Sequence, residues 1–144
     1  MSNSAVEIAN LLYRYAELVD SGDLPGVGTL LENARMKILG VEELQDSVAT
    51  LAMLQAVVKI YPCGTPRTKH VVTNPILEID EAAGKATCRS HYTVLQATED
   101  IPLQVIAAGR YHDRFERVGG SWRFVYRDYT LFDLKGNISG HLHL

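Results

Sequence analysis

Along residues 6–19 the apolar side chains Val6, Ile8, Ala9, Leu11, Leu12, Tyr15, Ala16 and Val19 return at helical spacing. That spacing lays them on one face of a helix. Ser4 is a fitting N-cap, with Glu7 three residues on as the partner of a capping box. Gly22, after Asp20 and Ser21, can end the helix in the left-handed cap. Asp23 then caps a shorter helix with Pro25 in its first turn and Val27, Leu30 and Leu31 on its apolar side. Residues 33–39 read as a short strand. A third helix is predicted over 41–60 from Leu44, Val48, Leu51, Leu54, Ala56 and Val58. The stretch YPCGTPRT stops it, because two prolines and a glycine fall close together.

Past that break the pattern changes to antiparallel strands. Strands are predicted over 69–79, 85–96, 103–118 and 122–133, joined by a turn at 80–84, a polar link at 97–102 and the turn VGGS. Helices first and a strand meander last is an α+β arrangement, with helices packed on one face of a strongly curved sheet that encloses a pocket. Ala107, Ala108 and Gly109 are small enough to let the third long strand bend. The first long strand, TKHVVTNPILEID, is unusual. Alternation puts His70, Val72, Asn74 and Ile76 on one face, so polar groups share the side where apolar ones point. Pro75 marks an edge or a bulge beside Asn74.

Length and charge narrow the picture. The 144 residues suit a single domain, 1–144, with a core of its own. A net charge of −3 with no basic stripe argues against nucleic acid as a partner. Cys63 and Cys88 form no CxxC pair, so a reduced, cytoplasmic protein is expected. No charged leader runs into an apolar core at the N-terminus, and no apolar run is long enough to span a bilayer, so neither a signal peptide nor membrane insertion is expected. The terminal HLHL has two histidines at strand spacing but no third ligand in view, so no metal is expected.

Three motifs together carry a family resemblance: LVDSGDLPGVGTLL at the end of the first helix, HVVTN on the first long strand, and GRYHDRFERVGGSWRFVYRDY near the end. The chain resembles the SnoaL-like group of the nuclear-transport-factor-2-like superfamily, over roughly residues 4–135. That group includes polyketide cyclases, scytalone dehydratase, hexachlorocyclohexane dehydrochlorinase and small subunits of ring-hydroxylating dioxygenases. The resemblance implies a cone-shaped α+β fold. It also implies that Asp20 hydrogen-bonds His70, that Asn74 is a small polar pocket residue, and that Tyr15 and Arg127 face the cavity. The dehydratase has a second catalytic histidine on the next strand; His91 is the candidate here, and its register is open.

Carboxylate and imidazole together make a proton-abstracting unit, since the carboxylate fixes the tautomer and stabilises the cation formed. The alternative is that His70 only ties helix to sheet. Arg127 could steady an oxyanion with its fixed fork of donors, or be spent on a salt bridge to Asp113 or Asp128. Tyr15 and Tyr111 could donate from their phenols or simply pack. Three readings result. The first is a cofactor-free lyase or isomerase acting on a small, mostly apolar cyclic or aromatic compound. The second is a non-catalytic module binding such a ligand, and the third is a structural small subunit of a dioxygenase. A homo-oligomer, dimer or trimer, is expected because large residues such as Trp122, Phe124 and Tyr126 alternate on a strand whose sheet the helices cover on one face only.

Overall fold

Asn3, one residue ahead of the expected Ser4, caps the first helix, accepting the Val6 N–H at 3.3 Å. The computed structural model describes residues 3–143. Helix α1 (Ser4–Asp20) buries Ile8, Leu12, Tyr15, Ala16 and Val19, the stripe its spacing predicts. It ends as expected. Gly22 takes a φ of 80°, and the N–H groups of Gly22 and Asp23 donate to the carbonyls of Val19 and Leu18. Those two bonds close the helix end as a Schellman motif. A side chain at Gly22 would run into the Gly64 carbonyl, so the loop ahead of the first long strand packs directly on this cap. Asp20 is thereby the last helical residue, held beside that strand.

Asp23 caps α2 (Leu24–Leu30), as expected. The short strand is β1 (Arg35–Lys37), and the third helix is α3 (Ser47–Val57), shorter than 41–60. Two bonds between Met36 and Gln45 hold residue 45 in an extended bridge, and Asp46 caps the helix by accepting the Ala49 N–H. Val58 ends it by leaving the helical conformation to bridge Leu142.

The long strands are β2 (Thr68–Asp80), β3 (Lys85–Gln96), β4 (Gln104–Val118) and β5 (Ser121–Asp128), each antiparallel to the next. Strand β1 adds in parallel to β5, so the sheet is mixed, in the order β1-β5-β4-β3-β2. The last predicted strand stops at Asp128 rather than 133. The chain then crosses to β6 (Leu134–Lys135), which pairs with β4 at Ala107 and Ala108. One sheet face carries Ala86, Cys88, Tyr92, Val94, Tyr111, Phe115 and Phe124 into a common core with α1 and α2.

Three bulges bend the sheet and decide which side chains reach that core. One falls between Val94 and Leu95, opposite the small residues of β4. Gly109 belongs to this bend: a Cβ there would lie 2.5 Å from the Tyr92 hydroxyl and closer still to the Leu131 carbonyl. Gly109→Ala is therefore expected to cost about 1–3 kcal/mol through overpacking, read as a lower urea midpoint. A second bulge, between Arg114 and Phe115 on β4, leaves Val125 as the extra residue of β5. Phe124 and Arg127 are consequently both buried, although simple alternation separates them. Trp122 is buried too, so Trp122 and Phe124 belong to the core and do not form the exposed face from which oligomerisation was expected. Tyr126 lies half-buried under the Arg114 guanidinium, 4.0 Å from its ring centroid.

Candidate active site

The third bulge lies on β2, between Thr73 and Ile76. Before it Thr68, His70 and Val72 turn toward the helices, and after it Leu77 and Ile79 do so. Asn74 sits on the bulge with a φ of 53° and is exposed. The expectation that it shares the interior with His70 is thus overturned, because a bulge inserts a residue and ends the alternation on which the expectation rested. Asn74 borders a cleft of about 440 Å³ with Arg89, His91 and Arg110 instead. His91 is exposed there, so it is not the second imidazole.

His70 meets Asp20 as the family resemblance implied. Its Nδ1 lies 2.6 Å from Asp20 Oδ1, its backbone N–H donates to Oδ2 at 2.7 Å, and the Thr68 hydroxyl donates to Oδ1 at 2.8 Å. The side chains of His70 and Asp20 are 9% and 10% exposed. Burial pushes the Asp20 carboxyl up, but the hydrogen bonds and charge of His70, with the Thr68 hydroxyl, outweigh it and hold the group below its ordinary range. A carboxylate so bound accepts the Nδ1 proton of His70 and leaves Nε2 as the ring nitrogen free to act as a base.

A second imidazole does lie beside the pair, from a place the sequence did not suggest. His141 is 6% exposed, and its ring stands edge-on to His70 with centroids 5.6 Å apart. Its Nδ1 is buried with no hydrogen-bond partner among the described residues. Burial and the neighbouring His70 push its pKa down to about 4, against a smaller upward pull from Asp20. The only sequence signal was HLHL, which reads as a weak metal pair. Among the described residues no group of three or more His, Cys, Asp or Glu is placed to hold a metal.

The state of His141 has a measurable consequence for stability. Between its ordinary value of about 6.5 and the folded value of about 4, the unfolded chain takes up a proton that the folded protein refuses. The contribution is whole above the first value and is lost as pH falls toward the second. Acidification from pH 7 to 5 should cost about 2 kcal/mol by this group alone. Urea unfolding at the two pH values checks it, and His141→Phe should flatten the difference.

The remaining predicted residues gather in a separate cluster. Arg127 is 0% exposed and forms a two-bond pair with Asp113, at 2.7 and 2.9 Å, across β4 and β5. Its guanidinium lies 3.7 Å from the ring centroid of Tyr111 and 4.3 Å from that of Tyr15. The Tyr129 hydroxyl donates to the Tyr15 hydroxyl at 2.8 Å, and Tyr111 stacks on Tyr92. Burial raises the pKa of Tyr15, Tyr111 and Tyr129 against the pull of Arg127, so these phenols are neutral. Burial also opposes the charge on Arg127, but Asp113 holds the guanidinium protonated. Arg127 Nη1 alone has no partner among the described residues. Thus Tyr15, Tyr111 and Arg127 come together, as do His70 and Asp20, but no hydrogen bond or ring contact joins the two groups. A cleft of about 520 Å³ between Ile79, Lys85, Arg114 and Val125 touches neither group.

A helix is laid across a bent α+β sheet, and its terminal aspartate meets a strand histidine. The chain belongs to the SnoaL-like domain family, whose profile matches residues 2–128. No match is found among curated protein sequences. Among solved structures, an NTF2-like protein with a cystatin-like fold from Novosphingobium aromaticivorans is similar at a TM-score of 0.70 and 22% identity, over 90% of this chain and 82% of that one. A candidate scytalone dehydratase from the same organism gives 0.65 and 18%, over 87% and 81%. The β subunit of a candidate aromatic-ring-hydroxylating dioxygenase, also from that organism, gives 0.67 and 18%, over 90% of each chain. These likenesses establish the fold. No described helix is long and apolar enough to cross a membrane.

Proposed function

We propose that this protein is a cofactor-free lyase or isomerase that removes a proton from a small, mostly apolar cyclic compound. The carbon attacked is one next to a carbonyl or another electron-withdrawing group. One observation carries the reading: three donors from β2 bind both oxygens of Asp20, which fixes the His70 ring with Nε2 free. In the step itself the C–H bond breaks, its proton goes to Nε2, and its electron pair moves onto the carbonyl oxygen as an enolate. Return of the proton to another carbon is isomerisation, and departure of a group from the neighbouring carbon is elimination. Asp20 orients the ring and stabilises the imidazolium. Arg127, with one unpartnered nitrogen and its guanidinium against Tyr15 and Tyr111, would add positive charge to the interior.

A non-catalytic role, as ligand-binding module or structural subunit, is favoured by a different observation. Arg127 is already spent on a two-bond pair with Asp113, and Tyr111 is stacked on Tyr92 rather than turned to a ligand. Incubation with small cyclic ketones, enols and halogenated rings in heavy water separates the readings. The enzyme reading expects deuterium to enter at the carbon beside the activating group. If a probe binds wild type and His70→Ala equally and wild type exchanges no proton, the enzyme reading fails.

A further inference from the structure

We infer that His141 is a second substrate-contacting residue, whose ring N–H donates a hydrogen bond to the carbonyl oxygen of a cyclic ketone while His70 withdraws the adjacent proton. The inference rests on the proton-abstraction reading and adds to it the substrate class and the group that receives the charge. Buried polar atoms are almost always paired, so a buried imidazole nitrogen with no partner among the described residues leaves a place for one from a ligand. Had the position served packing alone, an apolar residue like its half-buried neighbours Ile138 and Leu142 would fill it without that cost.

The chain also holds His141 with unusual care. Its carbonyl accepts the Lys59 N–H at 2.7 Å, and the His143 N–H donates to Val57 at 2.7 Å. The carbonyl of Gly140 accepts from both the Tyr61 hydroxyl and the Gln96 side chain. Gln96 is itself buried and also donates to the Pro66 carbonyl, so it ties the C-terminal segment to the start of β2. A polar group so positioned before any ligand arrives has little reorganisation left to do.

The chemistry of the neighbouring groups fits the role. Among the described residues, the charged groups that bear on His141 are His70 and Asp20. A cationic His141 would oppose the charge His70 acquires on taking a proton. A neutral imidazole avoids that conflict and still offers an N–H to an oxygen gaining negative charge. The rings stand edge-on with centroids 5.6 Å apart, a separation at which one imidazole would meet the proton and the other the oxygen of the adjoining carbonyl.

The test uses 1-naphthol, whose ring oxygen mimics that of a cyclic enolate, and 1-tetralone as the exchanging ketone. Binding of 1-naphthol to wild type should shift the ¹⁵N resonances of the His141 ring. His141→Phe should weaken binding roughly tenfold, the worth of one hydrogen bond to a charged or strongly polar oxygen. His141→Gln, which keeps a donor, should recover most of it and guards against misfolding of the first variant. Binding of 1-naphthol by His141→Phe within twofold of wild type, an unmoved ¹⁵N resonance, or no binding to wild type overturns the inference. If the naphthol results come as expected but 1-tetralone exchanges no deuterium in wild type, the His141 contact stands and the enzyme reading falls. Exchange that persists undiminished in His141→Phe does the reverse.

Discussion

Asp113→Ala should destabilise the protein by about 3–5 kcal/mol, the usual cost of stripping one partner from a buried ion pair. Arg127 would remain with no exposed surface, its charge facing only rings and two lost hydrogen bonds. The faces of Tyr111 and Tyr15 offset part of that loss, since a desolvated cation over an aromatic ring gains about 2 kcal/mol or more. Removing both charges is a different case. Asp113→Ala with Arg127→Met takes the cation away as well, and a flexible apolar chain then fills much of the guanidinium's space. The double variant should therefore regain much of the single variant's loss. Urea unfolding at pH 7 of the wild type, both single variants and the double gives the coupling directly. A cost below about 1 kcal/mol for Asp113→Ala would mean that water reaches Arg127 once its partner is gone.

The succession of helices and strands was legible because long periodic stretches speak for themselves, and α1 with its Gly22 stop is the best example. What misled were places where tertiary contacts overrule local pattern. Residues 41–46 contain Glu and Leu at helical spacing, yet the bridge between Met36 and Gln45 draws them into an extended path. Asn74 was placed by alternation, which holds only until a bulge intervenes. Pro75 hinted at the irregularity that carries Asn74 out. Nothing local marked Val125 as the extra residue that brings Arg127 in beside Phe124. His70 and Asp20 were joined by family resemblance and not by spacing, because a contact across fifty residues leaves no trace in a local pattern. The same blindness hid His141. Its place beside His70 depends on the C-terminal segment pairing with the end of α3, which no periodicity announces.

Loss of His70 should reduce proton exchange by roughly 10² to 10⁴, the usual contribution of a positioned general base. His70→Ala deletes the proton acceptor outright, and it also opens a gap the size of an imidazole next to Asp20. Added imidazole should enter that gap and restore part of the exchange. Asp20→Asn keeps the acceptor but spoils its control. The carboxamide oxygen can still accept from the Thr68 hydroxyl or the His70 backbone. Its NH₂, however, cannot accept the Nδ1 proton, and facing Nδ1 it favours the tautomer that protonates Nε2. Exchange should fall in Asp20→Asn as well, by less than in His70→Ala, and added imidazole should not help, because the native ring still occupies the place. Thermal unfolding of both variants shows whether the fold survives, and the comparison is drawn only between folded proteins. Exchange within threefold of wild type in a folded His70→Ala would move the base elsewhere in the molecule. Rescue by imidazole in His70→Ala alone would place it on Nε2 of His70.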